Sequence, residues 1–330
     1  MSRLVKVLLG IAGALTVSVL GLWVYVEVSW DQTFDVPLPD LEASRDPKLI
    51  ERGRYLVHGP AHCSNCHVGS FEEMRRADAG ESFPLAGGVV FPMGPLGKLA
   101  VPNLTPDPTT GIGRYSDGQL FRMLRHAVKP DGTASLALMM PFQGMADEDH
   151  VAIVSYLRTL DPVERETPPS EWTLIGKAAR TFAPPFQPVL DPEYPKRAPP
   201  MEPTVERGEY LARYVANCFT CHTNHDQATF ERIGPEWGGG MEFEPDPGLD
   251  DGVWTRSPNL TTHATGVLQN YPTEADWIAR FRAGRRIDGS PMHWGPFSRM
   301  SDEDLGALYL YLQSVPPVDN TVGPVTFEKD

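Results

Sequence analysis

The chain has 330 residues, 41% of them apolar, and a formal net charge of −14 from 43 acidic and 29 basic side chains. That length suggests about two domains with ordinary apolar cores, so the four cysteines are not needed as a disulfide framework. The acidity argues against a nucleic-acid partner, because phosphate binding needs clustered lysines and arginines; it suits a solvated surface or the steering of a basic partner protein.

At the N-terminus, Val7 to Val26 carry no charge, and twenty such residues span a hydrocarbon core of roughly 30 Å as a helix. The stretch ends in Leu22-Trp23-Val24-Tyr25-Val26. A signal peptide would be shorter and end in small residues, so an uncleaved anchor is expected over 1–30, with the transmembrane helix at 7–26. Arg3 and Lys6 precede the span while Glu27 and Asp31 follow it, which puts the N-terminus in the cytoplasm and the rest outside. A tether, 31–46, follows the anchor.

Next comes Cys63-Ser64-Asn65-Cys66-His67, and much later Cys218-Phe219-Thr220-Cys221-His222. A C-x-x-C-H run reads as a c-type haem attachment site. Cysteines three apart lie on one face of a helical turn, where both thiols form thioethers with the vinyl groups of one haem, and the histidine is held beneath the iron as proximal ligand. A zinc site would want four converging ligands, and a thioredoxin-like pair does not explain the histidine after it. Two covalently bound haem c groups are therefore expected, on Cys63, Cys66 and His67 and on Cys218, Cys221 and His222. Because c-type haems of bacterial proteins are attached outside the cytoplasm, this agrees with the charge asymmetry of the anchor: a single-pass protein of the bacterial inner membrane with both haem domains in the periplasm.

Ser116 caps a predicted helix with Leu120, Met123, Leu124 and Ala127 on one side, and Ile153, Tyr156, Leu157 and Leu160 repeat that spacing. Between 162 and 203 lie Pro168-Pro169, Pro184-Pro185, Pro195 and Pro199-Pro200, which read as an extended connector with a short helix near Leu174 to Phe182. Such a connector could wrap one half of the chain. Ser301 with Asp304 marks another helix start, with Leu305, Leu308, Tyr309 and Leu312 as its buried stripe. No stretch alternates like a strand.

The two halves repeat. Glu51-Arg52-Gly53-Arg54-Tyr55-Leu56 recurs as Glu206-Arg207-Gly208-Glu209-Tyr210-Leu211, and Pro102-Asn103-Leu104-Thr105 as Pro258-Asn259-Leu260-Thr261. Met145-Ala146-Asp147-Glu148-Asp149 recurs as Met300-Ser301-Asp302-Glu303-Asp304. The expected organisation is a first domain at 47–163, a proline-rich connector at 164–202, a second domain at 203–318 and a tail at 319–330.

With Thr110-Gly111-Ile112-Gly113, Asp131-Gly132 and Met140-Pro141-Phe142, these residues resemble the class I, mitochondrial-type cytochrome c domain. More narrowly, they are similar to the tandem cytochromes c that accompany bacterial dehydrogenases and respiratory chains. The resemblance implies an all-α fold of two tandem domains and a low-spin haem with histidine and methionine ligands in each. A methionine thioether raises the potential of such a haem. Met140 matches the axial methionine of the family, with Met139 beside it as the alternative. Met292 occupies the corresponding stretch of the second half, with His293 as the alternative. The resemblance also assigns Asn103, Asn259 and the prolines before them to the proximal side of each haem. Thr265-Gly266-Val267-Leu268 departs from the first copy of its loop, so equal potentials do not follow.

The function expected is one-electron transfer between membrane or periplasmic redox partner proteins, without a small-molecule substrate. One alternative is a dihaem enzyme of peroxidase or thiosulfate-dehydrogenase type. A peroxidase needs an open iron site, and the thiosulfate type needs a further cysteine. The other alternative is a fixed cytochrome subunit of a dehydrogenase. No glycine fingerprint for flavin or nicotinamide is present, so a substrate-oxidising cofactor would sit on another chain.

Overall fold

A computed structural model describes residues 2–137, 141–195, 197–226, 229–245 and 252–329. In chain order the helices of the first repeat and its lead are α1 (Arg3–Ser29), α2 (Pro47–His58), α3 (Cys63–Cys66), α4 (Phe71–Asp78), α5 (Asp117–His126) and α6 (Asp147–Leu157). The connector carries α7 (Leu174–Phe182). The second repeat has α8 (Val205–Tyr210), α9 (Cys218–His222), α10 (Glu274–Arg282), α11 (Trp294–Ser298) and α12 (Asp302–Ser314).

The uncharged N-terminal run forms α1, whose first turn is capped by the Ser2 side chain accepting from the Val5 amide. Leu8, Leu15, Val19 and Leu22 are all exposed. A helix that is apolar on every side and uncovered by protein suits hydrocarbon, and at about 1.5 Å per residue it is long enough to cross a bilayer core. Val26, near its end, is buried where α1 meets the rest of the chain.

In both repeats the first and last helices cross in close contact because a glycine permits it. A Cβ on Gly53 of α2 would lie 1.9 Å from the Ala152 carbonyl oxygen of α6, and one on Gly208 of α8 would lie 2.0 Å from that of Ala307 in α12. The arginine before each glycine reaches across the same crossing. Arg52 bonds Asp149, and Arg207 makes a bidentate pair with Asp304 at 2.8 and 2.9 Å, both side chains fully buried. The repeated Glu-Arg-Gly and Asp-Glu-Asp runs are thus two sides of one packing motif.

The repeats also exchange tyrosines. Tyr210 of the second repeat donates to Asp149 Oδ2 at 2.6 Å and accepts the Ala146 amide at 3.1 Å. Tyr55 of the first donates to Asp304 Oδ2 at 2.7 Å and accepts the Ser301 amide at 3.1 Å. Burial and the adjacent carboxylate push both phenols above their usual pKa, so they remain donors. A second contact lies at the end of α4, where Asp78 accepts from Arg285 at 2.8 Å and from the Gly295 amide at 2.9 Å. One apolar core, including Leu56, Phe121, Ile153, Leu211, Leu305 and Leu308, runs through both repeats.

The helical expectation omits two small antiparallel sheets. In one, β1 (Val90–Pro92), β2 (Gly97–Ala100) and β3 (Glu171–Trp172) pair in that order; in the other, β4 (Glu242–Phe243), β5 (Trp254–Arg256) and β6 (Thr326–Phe327) do. Strands of two to four residues are too short to show a period-two pattern. The connector wraps the first repeat: β3 pairs with β2, and the Val189 amide donates to the His126 carbonyl. Ser116 and Gln119 form a capping box on α5. At α12 only half of that arrangement forms, because the Asp304 carboxylate is taken by Arg207 and Tyr55.

Tyr55→Phe or Tyr210→Phe is expected to cost about 1–3 kcal/mol by leaving a buried carboxylate oxygen and an amide without their shared hydroxyl. Asp304→Ala is expected to cost about 3–5 kcal/mol by stranding the buried Arg207 charge. Denaturant midpoints at pH 7 measure both.

Candidate cofactor-binding sites

Each Cys-x-x-Cys-His run follows a residue in the left-handed backbone region, His62 at φ 45° and Asn217 at φ 54°. Asparagine accepts this conformation readily; for His62 it is a special position. The reversal starts a short helix. The His67 amide bonds the Cys63 carbonyl at 3.0 Å, and the turn brings the two cysteines onto one side. None of the four cysteines is bridged in a disulfide, and desolvation pushes the Cys63 and Cys218 thiols up to about 12.

The two histidines are held alike. His67 Nδ1 lies 2.9 Å from the Pro102 carbonyl oxygen, and His222 Nδ1 lies 3.0 Å from that of Pro258. A carbonyl only accepts, so Nδ1 carries the proton and Nε2 keeps its lone pair for a ligand. Both rings are buried; desolvation lowers the pKa of His67 to about 4 and lowers that of His222.

The carbonyls are fixed from both sides. Gly87 and Gly239, at φ 63° and 67°, lie against Pro102 and Pro258, and a Cβ on either would sit 2.4 Å from the proline carbonyl carbon. Their amides bond the His67 and His222 carbonyls at 3.1 and 2.9 Å. Asn103 and Asn259 close the loop beyond: each accepts an amide two residues on at 2.9 Å and donates at 2.8 Å to a distant carbonyl, of Val163 or Val318. The prolines therefore orient the histidines directly, and the asparagines do so by bracing the prolines.

A cavity reaches the first run at Ser64, and a second one lies behind Trp237, whose ring meets Phe219 of the second run edge-on. One of about 450 Å³ is lined by Ser64, Tyr156, Leu160 and Val163, and one of about 410 Å³ by Trp237, Tyr311, Val315 and Val318. Tyr156 and Tyr311 occupy the same place in their repeats, as do Leu160 and Val315, and Val163 and Val318. Ser64 Oγ is buried without a hydrogen-bond partner. Among the described residues no group of three or more His, Cys, Asp or Glu side chains is arranged to hold a bare metal ion. Two unbridged thiols followed by one buried imidazole that is oriented through Nδ1 fit a covalently held metal macrocycle.

Of the expected sixth ligands, Met139 and Met140 lie outside the described residues. Met292 packs half-buried against the apolar core. His293 turns away to the first repeat. Its ring stacks on His62 with centroids 4.0 Å apart and planes 16° apart, and its Nδ1 lies 3.0 Å from Asn65 Nδ2. Sequence reading gave no sign of this crossing, nor of the glycines behind the prolines, because both are set by contacts far apart in the chain. Met145 and Met300 are core residues.

The other histidines serve the scaffold. His58 Nε2 lies 2.8 Å from the Tyr156 hydroxyl and His126 Nδ1 2.8 Å from the Val189 carbonyl oxygen. His150 is fully buried with Nε2 2.9 Å from the Phe142 carbonyl oxygen. Desolvation and, secondarily, Arg125 lower its pKa to about 3. The unfolded chain takes up that proton near pH 6.5, so the stabilisation is whole above that pH and is lost as pH falls towards 3. His150→Gln should flatten the slope of stability against pH between 6.5 and 4 by up to about 1.4 kcal/mol per unit, as read by urea unfolding across that range.

No protein-family model matches the chain. It is 29% identical over 301 residues to the alcohol dehydrogenase (quinone) cytochrome c subunit of Gluconacetobacter polyoxogenes, covering 86% of this chain and 59% of that protein. It is 30% identical over 289 residues to the gluconate 2-dehydrogenase cytochrome c subunit of Pantoea cypripedii, covering 81% and 59%. A diheme cytochrome c-type protein of Cereibacter sphaeroides is 25% identical over 337 aligned positions, covering 94% and 98%. The chain thus spans about three-fifths of the first of these relatives and nearly all of the last.

Proposed function

We propose that this relative of dehydrogenase cytochrome c subunits is a membrane-anchored dihaem cytochrome passing single electrons between redox partner proteins. It consists of two tandem cytochrome c domains, 47–163 and 203–318, held on the periplasmic side of the bacterial inner membrane by α1. Bound haem supplies reversible one-electron chemistry at its iron.

The chain's own residues do the rest. Cys63 and Cys66 would hold one haem and Cys218 and Cys221 the other. His67 and His222 would ligate the iron through Nε2, with Met140 and Met292 as the further ligands. The observation that carries this reading is the duplicated geometry: in both repeats a proline carbonyl holds the Nδ1 proton and leaves Nε2 as the donor. The rings stay neutral through the physiological range because burial opposes their protonation. Core side chains around them exclude water, which limits reorganisation when charge changes. In favour of Met292 over His293, the His293 ring is engaged with His62 and Asn65.

A second reading is supported by the relatives' names, several of which are cytochrome subunits of dehydrogenases. In that reading the chain makes the same transfer as a fixed subunit, and co-purification of a substrate-oxidising partner distinguishes the two.

Optical redox titration of the purified full chain, with carbon monoxide added to the ferrous form, tests the assignment. Two haems, a methionine-to-iron charge-transfer band in the ferric form and no carbon monoxide binding are expected. Met292→Ala should open one of the two irons to carbon monoxide while His293→Ala should not. A carbon monoxide-reactive haem in the unaltered protein would favour the enzymatic alternatives.

A further inference from the structure

Amphipathic helices of a folded body turn their apolar side inward; α7 does the reverse. Helical spacing puts Leu174, Ile175, Ala178 and Phe182 on one side, and Gly176, Lys177 and Arg180 on another. The buried residues are Gly176 and Arg180, whereas Leu174, Ile175 and Phe182 are 50%, 59% and 55% exposed.

The inward side is fixed by specific contacts. The Thr173 hydroxyl caps the helix by accepting the Gly176 amide at 3.1 Å and donates to the Pro95 carbonyl at 2.6 Å. A Cβ on Gly176 would lie 2.0 Å from the Leu96 carbonyl oxygen, so glycine lets the helix rest on the backbone that joins β1 to β2. Arg180 donates to the Trp30 and Ala134 carbonyls at 3.2 Å. Its guanidinium lies 5.6 Å from the Trp30 ring and 5.0 Å from that of Trp172. Rolling α7 over to bury its apolar side would break every one of these.

Beside that outward side stands the end of α1. Lys177 pairs with Glu27 at 2.5 Å, and the Phe182 ring stacks on Tyr25 with centroids 6.0 Å apart and planes 24° apart. Tyr25 and Val28 are themselves exposed. The apolar side of α7 is therefore continuous with that of the helix read as the membrane span.

We propose that α7 is a second, monotopic membrane contact. It lies in the lipid headgroup region beside α1 with Leu174, Ile175 and Phe182 at the acyl boundary, and it holds the haem-bearing body at a fixed attitude to the bilayer. The proposal rests on reading α1 as a membrane anchor. The occupant is lipid because the patch borders the span directly and is fastened to it by an ion pair and a ring stack.

The test places photoreactive benzoylphenylalanine singly at Leu20 in α1, at Ile175 in α7 and at Ile233, which is exposed in the second repeat. The full chain is reconstituted in nanodiscs of phosphatidylethanolamine and phosphatidylglycerol that contain no other protein. Lipid adducts are expected at 20 and 175 and not at 233. An adduct at 20 with none at 175, or labelling at 175 no stronger than at 233, overturns the proposal and leaves the anchor standing. Absence at both 20 and 175 overturns the anchor reading itself. Protein adducts at 175 in native membranes, without lipid adducts in nanodiscs, assign the patch to a partner protein and overturn the proposal. Independently, Leu174→Glu with Ile175→Glu should speed hydrogen exchange across 174–182 several-fold in nanodiscs without changing α2 or α12; unchanged exchange in α7 contradicts it.

Discussion

Two buried carboxylates, Asp149 and Asp304, govern how the halves of this chain fit together. Each is fully buried and meets an arginine from its own repeat and a tyrosine from the other. Each arginine stays with its aspartate when the repeats part, but both carboxylates then lose a tyrosine hydrogen bond worth about 1–3 kcal/mol, so the two contacts together oppose separation. The same tyrosine hydroxyls accept the amides that begin α6 and α12. One exchanged contact therefore sets the crossing of first and last helices in both repeats, and α2 and α8 lead from those crossings into the cysteine runs.

The relative placement of the two sites is fixed further by contacts made beside them. His293 and Asn65 join across the repeats next to Cys66, and Asp78 receives an arginine and an amide from the second repeat. For the proposed electron transfer such rigidity is useful: two redox centres on one body keep their separation while partners come and go. The lock on each histidine is rigid in the same way, since it uses backbone carbonyls backed by glycines that leave no room for a side chain.

What could be read from sequence was local. The C-x-x-C-H runs, the Ser116 cap and the short helix between the prolines near Leu174 and Phe182 all declare themselves within a few residues. The repeat was visible as matching words, and the structure explains why those words recur: arginine, glycine and aspartate are the parts of one helix crossing. The strands escaped because two to four residues cannot show alternation. The exchange of Tyr55 and Tyr210, the crossing of His293 to His62 and the outward apolar side of α7 depend on partners far away in the chain, which no local pattern encodes.

The proposed function requires that each repeat bind one haem covalently through its own cysteine pair. Peptide mass spectrometry of the mature protein tests it most directly. One haem mass is expected on the peptide containing Cys63 to His67 and one on the peptide containing Cys218 to His222. Unmodified cysteines, or a haem on only one of the two peptides, would contradict it.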